Sequence, residues 1–153
     1  MLYDMTFARF DAAVLGTIRA WSLPIARAAL FIIFFWFGVL KVLGISPADT
    51  LVSQLLSLTL SFVPFAQFRI FFGLYEMAIG AAFLFSGAER FAVGLLLPHM
   101  FATFLPLILL PDLTWQSILV PSFGGQYIVK NLVIVALALS VAAHSHPLRT
   151  KRY

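Results

Sequence analysis

Residues 68–87 read FRIFFGLYEMAIGAAFLFSG. A helix of this length rises about 30 Å, the depth of a bilayer's hydrocarbon, and its only charged residues are Arg69 and Glu76. Glu76 falls about five to eight residues inside the run, roughly 10 Å below its surface. A bare carboxylate there is costly, so it must be protonated, paired or in contact with a wet cavity. Gly73, Glu76 and Gly80 share one helical face. Small residues let a neighbouring helix approach, so this face is predicted to point into a bundle.

Working outward, three more windows have the length and polarity of a membrane span. They are IARAALFIIFFWFGVLKVL (25–43), FAVGLLLPHMFATFLPLILL (91–110) and IVKNLVIVALALSVAAHS (128–145). Each of the four spans carries one conspicuous polar residue: Lys41, Glu76, His99 and Lys130. Composition agrees: of 153 residues, 62% are hydrophobic and 10% charged, where a soluble domain is about a quarter charged. The ten basic and six acidic residues give a net charge of +4. The cations sit beside apolar runs rather than in a stripe with stacking aromatics, which suits anionic lipid headgroups and argues against nucleic acid as a partner. The chain has no cysteine, which removes disulfides, CxxC redox chemistry and iron–sulfur ligation.

Charge asymmetry predicts orientation. Arg9, Arg19, Arg27, Arg90, Arg149, Lys151 and Arg152 fall on one side of a four-span topology, and Lys41, Arg69 and Lys130 on the other. Both termini are therefore expected in the cytoplasm. Phe7, Phe10, Val14, Ile18 and Trp21 recur at helical spacing, predicting an N-terminal interfacial amphipathic helix over residues 1–22. In the first outer loop, Ser46 as N-cap, Pro47 and Asp49 predict a helix start. Leu51, Leu55, Leu58 and Phe62 give that helix one apolar face, and it reads as interfacial or re-entrant. Trp115 and Tyr127 in the second outer loop suit an aromatic belt. The expected fold is thus all-α: one membrane domain over residues 1–153, an integral four-helix bundle with these two additional helices.

Seven residues are candidates for an outer-half polar pocket: Lys41, Glu76, His99, Gln126, Tyr127, Lys130 and Asn131. Glu76 reads either as a proton-handling or ligand-binding acid, or as half of an ion pair that locks two helices. Lys41 and Lys130 are its candidate partners, unless they snorkel to the interface. His99 offers a proton relay or a hydrogen bond to a quinone carbonyl; the plainer alternative is a buried histidine bonded to a neighbour's backbone near Pro98. His144 and His146 do not match His99 in depth and read as interface, so neither haem nor a metal site is expected. No HExxH, Walker A, GxSxG or GxGxxG pattern is present.

The stretches FFWFGVLKVLGISPADTLV (34–52), GLYEMAIGAAFLF (73–85), LPHMFATFLPLILLPDLTW (97–115) and GGQYIVKNLVIVALAL (124–139) resemble the DoxX/DoxD-like membrane family. The likeness covers about residues 25–145 and is nearest the branch that includes the bacterial reactive-chlorine-resistance membrane protein. Gln126, Tyr127, Lys130 and Asn131 carry its most specific part, followed by the Phe37-Gly38-x-x-Lys41 end of the first span. The resemblance implies a four-helix protein of the bacterial inner membrane. It also implies kinship with the small subunit of a thiosulfate:quinone oxidoreductase and with subunits of oxidative-stress assemblies. Three functions follow as expectations. The first is an accessory or assembly subunit of a membrane, redox-linked complex, partnered by lipid and by other membrane subunits or a peripheral redox protein. The second is a quinone-binding redox subunit with no intrinsic cofactor. The third is a small transporter.

Overall fold

The computed structural model describes residues 2–144, with side chains from Phe7 onward. The side chain of Asp4, the last residue of the fourth expected span, and His146, Arg149, Lys151 and Arg152 lie outside the described residues.

Helix α1 runs from Leu2 to Leu43 and α2 from Asp49 to Thr59. Next come α3 (Phe65–Leu84), α4 (Glu89–Phe104) and two single turns, α5 (Pro106–Leu109) and α6 (Pro111–Thr114). A small antiparallel hairpin follows, β1 (Trp115–Ser117) with β2 (Val120–Pro121), and α7 (Phe123–Ala143) closes the described chain. Three stretches are long and apolar enough to cross a membrane: Phe7–Leu43, Glu89–Leu109 and Phe123–Ala143. The second expected span, α3, has 20 residues but carries Gln67, Arg69 and Glu76, which hold its hydropathy down.

Several expectations are corrected. Residues 2–21 are not a separate helix. They continue without a break into the first span, although Pro24 lies inside, so α1 is about 63 Å long. The helix of the first outer loop starts at Asp49 rather than beside Ser46. Ser46 Oγ accepts from Ala48 N (3.3 Å) within a preceding turn. The fully buried residue of this helix is Leu56; Leu58 and Phe62, from the expected apolar face, are exposed. The third span keeps its expected place, Glu89–Leu109, with one interruption of the hydrogen-bond ladder at Leu105, where Pro106 has no N–H to donate. The fourth starts five residues early, at Phe123. There Ser122 caps it by accepting from Gly125 N (3.1 Å) and donating to Leu113 O (2.6 Å).

Packing follows from the apolar faces. α1 lies against α3 and α7, and α4 against the same two. One core receives Leu30 and Phe34 from α1, Ile79 and Phe83 from α3, Leu96 and Met100 from α4, and Ala138 and Val141 from α7.

α1 and α3 meet backbone to backbone. A Cβ on Gly38 would stand 2.5 Å from the Gly73 carbonyl oxygen, and one on Gly73 2.7 Å from the Gly38 carbonyl oxygen. Gly80 meets the backbone of Phe31 and Phe35 in the same way, so the two helices run antiparallel. Without side chains at these positions the backbones touch, which is how helices associate where lipid removes the hydrophobic drive between them. α1 ends at Gly44 (φ +76°), with Ile45 N bonded to Leu40 O and Gly44 N to Lys41 O, each at 3.0 Å. This is a glycine-terminated helix end in which two otherwise orphaned carbonyls find donors.

The Gly73→Ala variant is expected to lose about 1–3 kcal/mol through overpacking. That corresponds to a midpoint roughly 3–10 °C lower in a detergent thermal melt. Gly94→Ala, where nothing lies within 4 Å of the added methyl, should melt no lower than the parent. Equal losses in both variants would refute the backbone contact as the cause.

Candidate functional site

Antiparallel packing at glycine distance sets the polar cluster. Lys41 lies one turn beyond Gly38 on α1, and Glu76 one turn beyond Gly73 on α3. The ammonium therefore reaches into the bundle instead of out to the interface. Lys41 Nζ donates to Glu76 Oε2 at 2.7 Å. The other carboxylate oxygen, Oε1, is 2.9 Å from His99 Nε2 on α4. Lys41, Glu76 and His99 are 6%, 5% and 5% exposed, so three helices meet at one buried set of charges.

The far side of the imidazole is also bonded. His99 Nδ1 lies 3.0 Å from Thr103 Oγ1, one turn along α4, and that hydroxyl also reaches the His99 carbonyl oxygen at 2.9 Å. The hydroxyl has one proton to give. Given to the carbonyl, it leaves Nδ1 to carry the ring's hydrogen. Given to Nδ1, it places the ring's hydrogen on Nε2, where it bonds an ionised Glu76. With Lys41 and Glu76 both ionised, the second arrangement keeps the set neutral overall; the first keeps the Thr103 bond to the carbonyl and is neutral when the Lys41 proton rests on Glu76 and bonds Nε2. The ring's surroundings are aromatic. Phe34 meets it edge-on at 5.6 Å between centroids, Phe72 lies at 4.9 Å and Tyr75 at 6.3 Å. Phe72 also sits 5.7 Å from the Lys41 ammonium, and the Tyr75 hydroxyl donates to Leu95 O at 2.8 Å.

The seven expected pocket residues do not converge. Lys41, Glu76 and His99 come together. Gln126, Tyr127 and Lys130 are exposed on α7 and Asn131 is half-buried. Lys130 does not reach Glu76; its ammonium lies 5.3 Å from the Tyr127 ring. Asn131 Nδ2 donates to Tyr127 O at 3.2 Å, within its own helix. The reason is rotational: α7 buries Gly125, Ile128, Ala138 and Val141, and that face leaves the polar quartet outside. Two hollows lie along α1. One of about 520 Å³ is lined by Phe31, Ile32, Phe35, Trp36, Val39 and Leu40, and one of about 300 Å³ by residues around Val14. Neither has a cluster residue in its wall.

Two further parts went unforeseen. Thr103 stands four residues after His99, the spacing at which helix side chains meet, and that spacing was a usable signal. About four turns before Lys41, near the middle of α1, Arg27 pairs with Glu89 at the start of α4 and donates to Ser86 Oγ at 2.6 Å. Glu89 Oε2 also accepts from Gly87 N at 2.9 Å. Arg27 in sequence reads as an orientation charge, and only the packing of α1 against the α3–α4 turn reveals its partner. A third pair, Arg69 with Asp49 at 3.5 Å, ties α2 to α3.

The cluster can hold three helices in one register and hold a proton between Glu76 and His99. Comparison with protein-family models, with curated proteins and with solved structures gives no match for this chain.

Proposed function

We propose that the protein is a multi-pass membrane subunit of the DoxX-like type, an accessory or assembly component of a larger redox-linked complex of the bacterial inner membrane. In this reading α1, α3, α4 and α7 all cross the bilayer as a four-helix bundle, and both termini face the cytoplasm. The first 22 residues and α2 contribute interfacial surface. The Lys41–Glu76–His99 cluster is the lock that keeps the bundle in register.

One observation carries the reading: both Glu76 oxygens already have partners from other helices, and all three side chains are buried. A ligand oxygen would have to displace Lys41 or His99. Glu76 with a wet or open face would favour a binding site; Glu76 bonded on both sides favours helix locking. The outward surface supports a subunit role. In the 18-residue apolar window of each of the three stretches, between 17% and 28% of the residues are buried within the chain, so lipid or other subunits cover most of their area.

The test is a double-mutant cycle. Lys41→Met and Glu76→Leu each leave a buried charge without its partner and should each cost about 3 kcal/mol. The midpoint of a detergent melt should fall by roughly 6–12 °C. The double variant Lys41→Met, Glu76→Leu removes both charges and should recover most of that loss. The same proteins are titrated with a ubiquinone analogue in nanodiscs. Single variants that melt like the parent but abolish saturable quinone binding would overturn the lock and make the cluster a ligand site.

Topology is checked separately. Green fluorescent protein fused to either terminus should fluoresce, and alkaline phosphatase at the same positions should be inactive. The opposite pattern at either terminus would refute the orientation.

A further inference from the structure

The hairpin between α6 and α7 is built in an unusual way. Ser117 pairs with Val120, so Ile118 and Leu119 form its two-residue turn. Leu119 has φ +61°, the left-handed region that turns ordinarily fill with glycine or asparagine. A leucine there is strained, because its Cβ crowds the following carbonyl oxygen. Ile118 and Leu119 are also 92% and 84% exposed. Water rewards neither choice: a polar or glycine turn would relieve the backbone and hide nothing apolar.

The tip is held in place. Trp115 Nε1 donates to Leu107 O, and Ser122 N to Thr114 O, each at 2.9 Å. Thr114, fully buried, donates from Oγ1 to Leu110 O at 2.9 Å. These bonds fix the hairpin stem to α5, α6 and the start of α7. The segment 113–129 contains no charged residue. On either side, Ile108, Phe123 and Tyr127 turn outward.

We propose that the hairpin tip is a lipid wedge. Ile118 and Leu119 enter the boundary between headgroups and acyl chains of the leaflet next to the hairpin. Lipid is the occupant because the tip has no charge with which to select a protein partner, and because it is rooted between two helices whose apolar faces already turn outward. Strain at Leu119 is offset by burial of two large apolar side chains in hydrocarbon. The proposal rests on the reading of the helices as membrane spans.

The absence of cysteine makes the test direct. Ile118→Cys and Leu119→Cys are labelled singly with a nitroxide in nanodiscs of phosphatidylethanolamine and phosphatidylglycerol. Val133→Cys, on the exposed side of α7, serves as the span control. Relaxation by oxygen is compared with relaxation by a water-soluble nickel chelate. The expected result is that oxygen dominates at both tip positions, as at the control. Dominance of the chelate at the tip, with the control still oxygen-dominated, would place the tip in water and overturn the wedge alone. Protection from both reagents would mean a protein surface covers it, and would overturn the wedge equally. Chelate dominance at Val133→Cys would remove the membrane reading on which the wedge depends. Both tip positions are too exposed for the substitution to disturb packing.

Discussion

Glu76 is bonded by a lysine from one helix and a histidine from another, and the placement of α1, α3 and α4 follows from those two contacts. In water, a carboxylate can leave one partner and find solvent. Between helices surrounded by lipid it has no such alternative, so each helix that contributes a partner is tied to the others' depth and rotation. A slide of α1 by one turn would carry Lys41 about 5 Å from Glu76 and strand both charges. The apolar core permits many small adjustments of register. The three polar side chains permit one.

That arrangement depends on backbone contact. Lys41 reaches Glu76 because Gly38 and Gly73 let α1 and α3 touch. With larger residues there, the same lysine would stand farther from the carboxylate and find the interface more easily. At the other end of the bundle, Arg27 and Glu89 join α1 to α4 across the α3–α4 turn. α1 is therefore pinned near both ends of its packed half, and of the six acidic residues in the chain, Asp49, Glu76 and Glu89 are spent on pairs between elements. In a chain so poor in charge, anions are kept where they orient helices.

Much of this was legible in the sequence, for identifiable reasons. Apolar length locates a helix to within a few residues, and α3, α4 and α7 lie close to windows chosen on that ground. The glycine face of α3 is legible because small residues at helical spacing have one main use in a bilayer. Rotation about a helix axis is far less legible. Lys130 and Asn131 look as suitable as Lys41, and only the burial of Ile128 and Ala138 shows that α7 turns them outward. The continuity of α1 through Pro24 was hidden because amphipathic periodicity and uniform apolarity look like two elements. Proline adds to that impression, although a helix can carry it at the cost of one hydrogen bond. The hairpin was invisible for a related reason: a strained leucine turn contradicts the residue preferences from which turns are recognised.

The order of the cluster along the chain bears on how the protein is made. Lys41 precedes Glu76 by 35 residues, and Glu76 precedes His99 by 23. Synthesis therefore delivers the cation first, two residues from the end of its helix, where its ammonium can rest among headgroups until needed. The carboxylate, which belongs deeper, arrives when a partner is already waiting, and the imidazole takes its second oxygen last. Had the sequence run the other way, the acid would have met the imidazole first and waited for its cation. Chain order thus gives the pairing a direction: cation, then carboxylate, then imidazole.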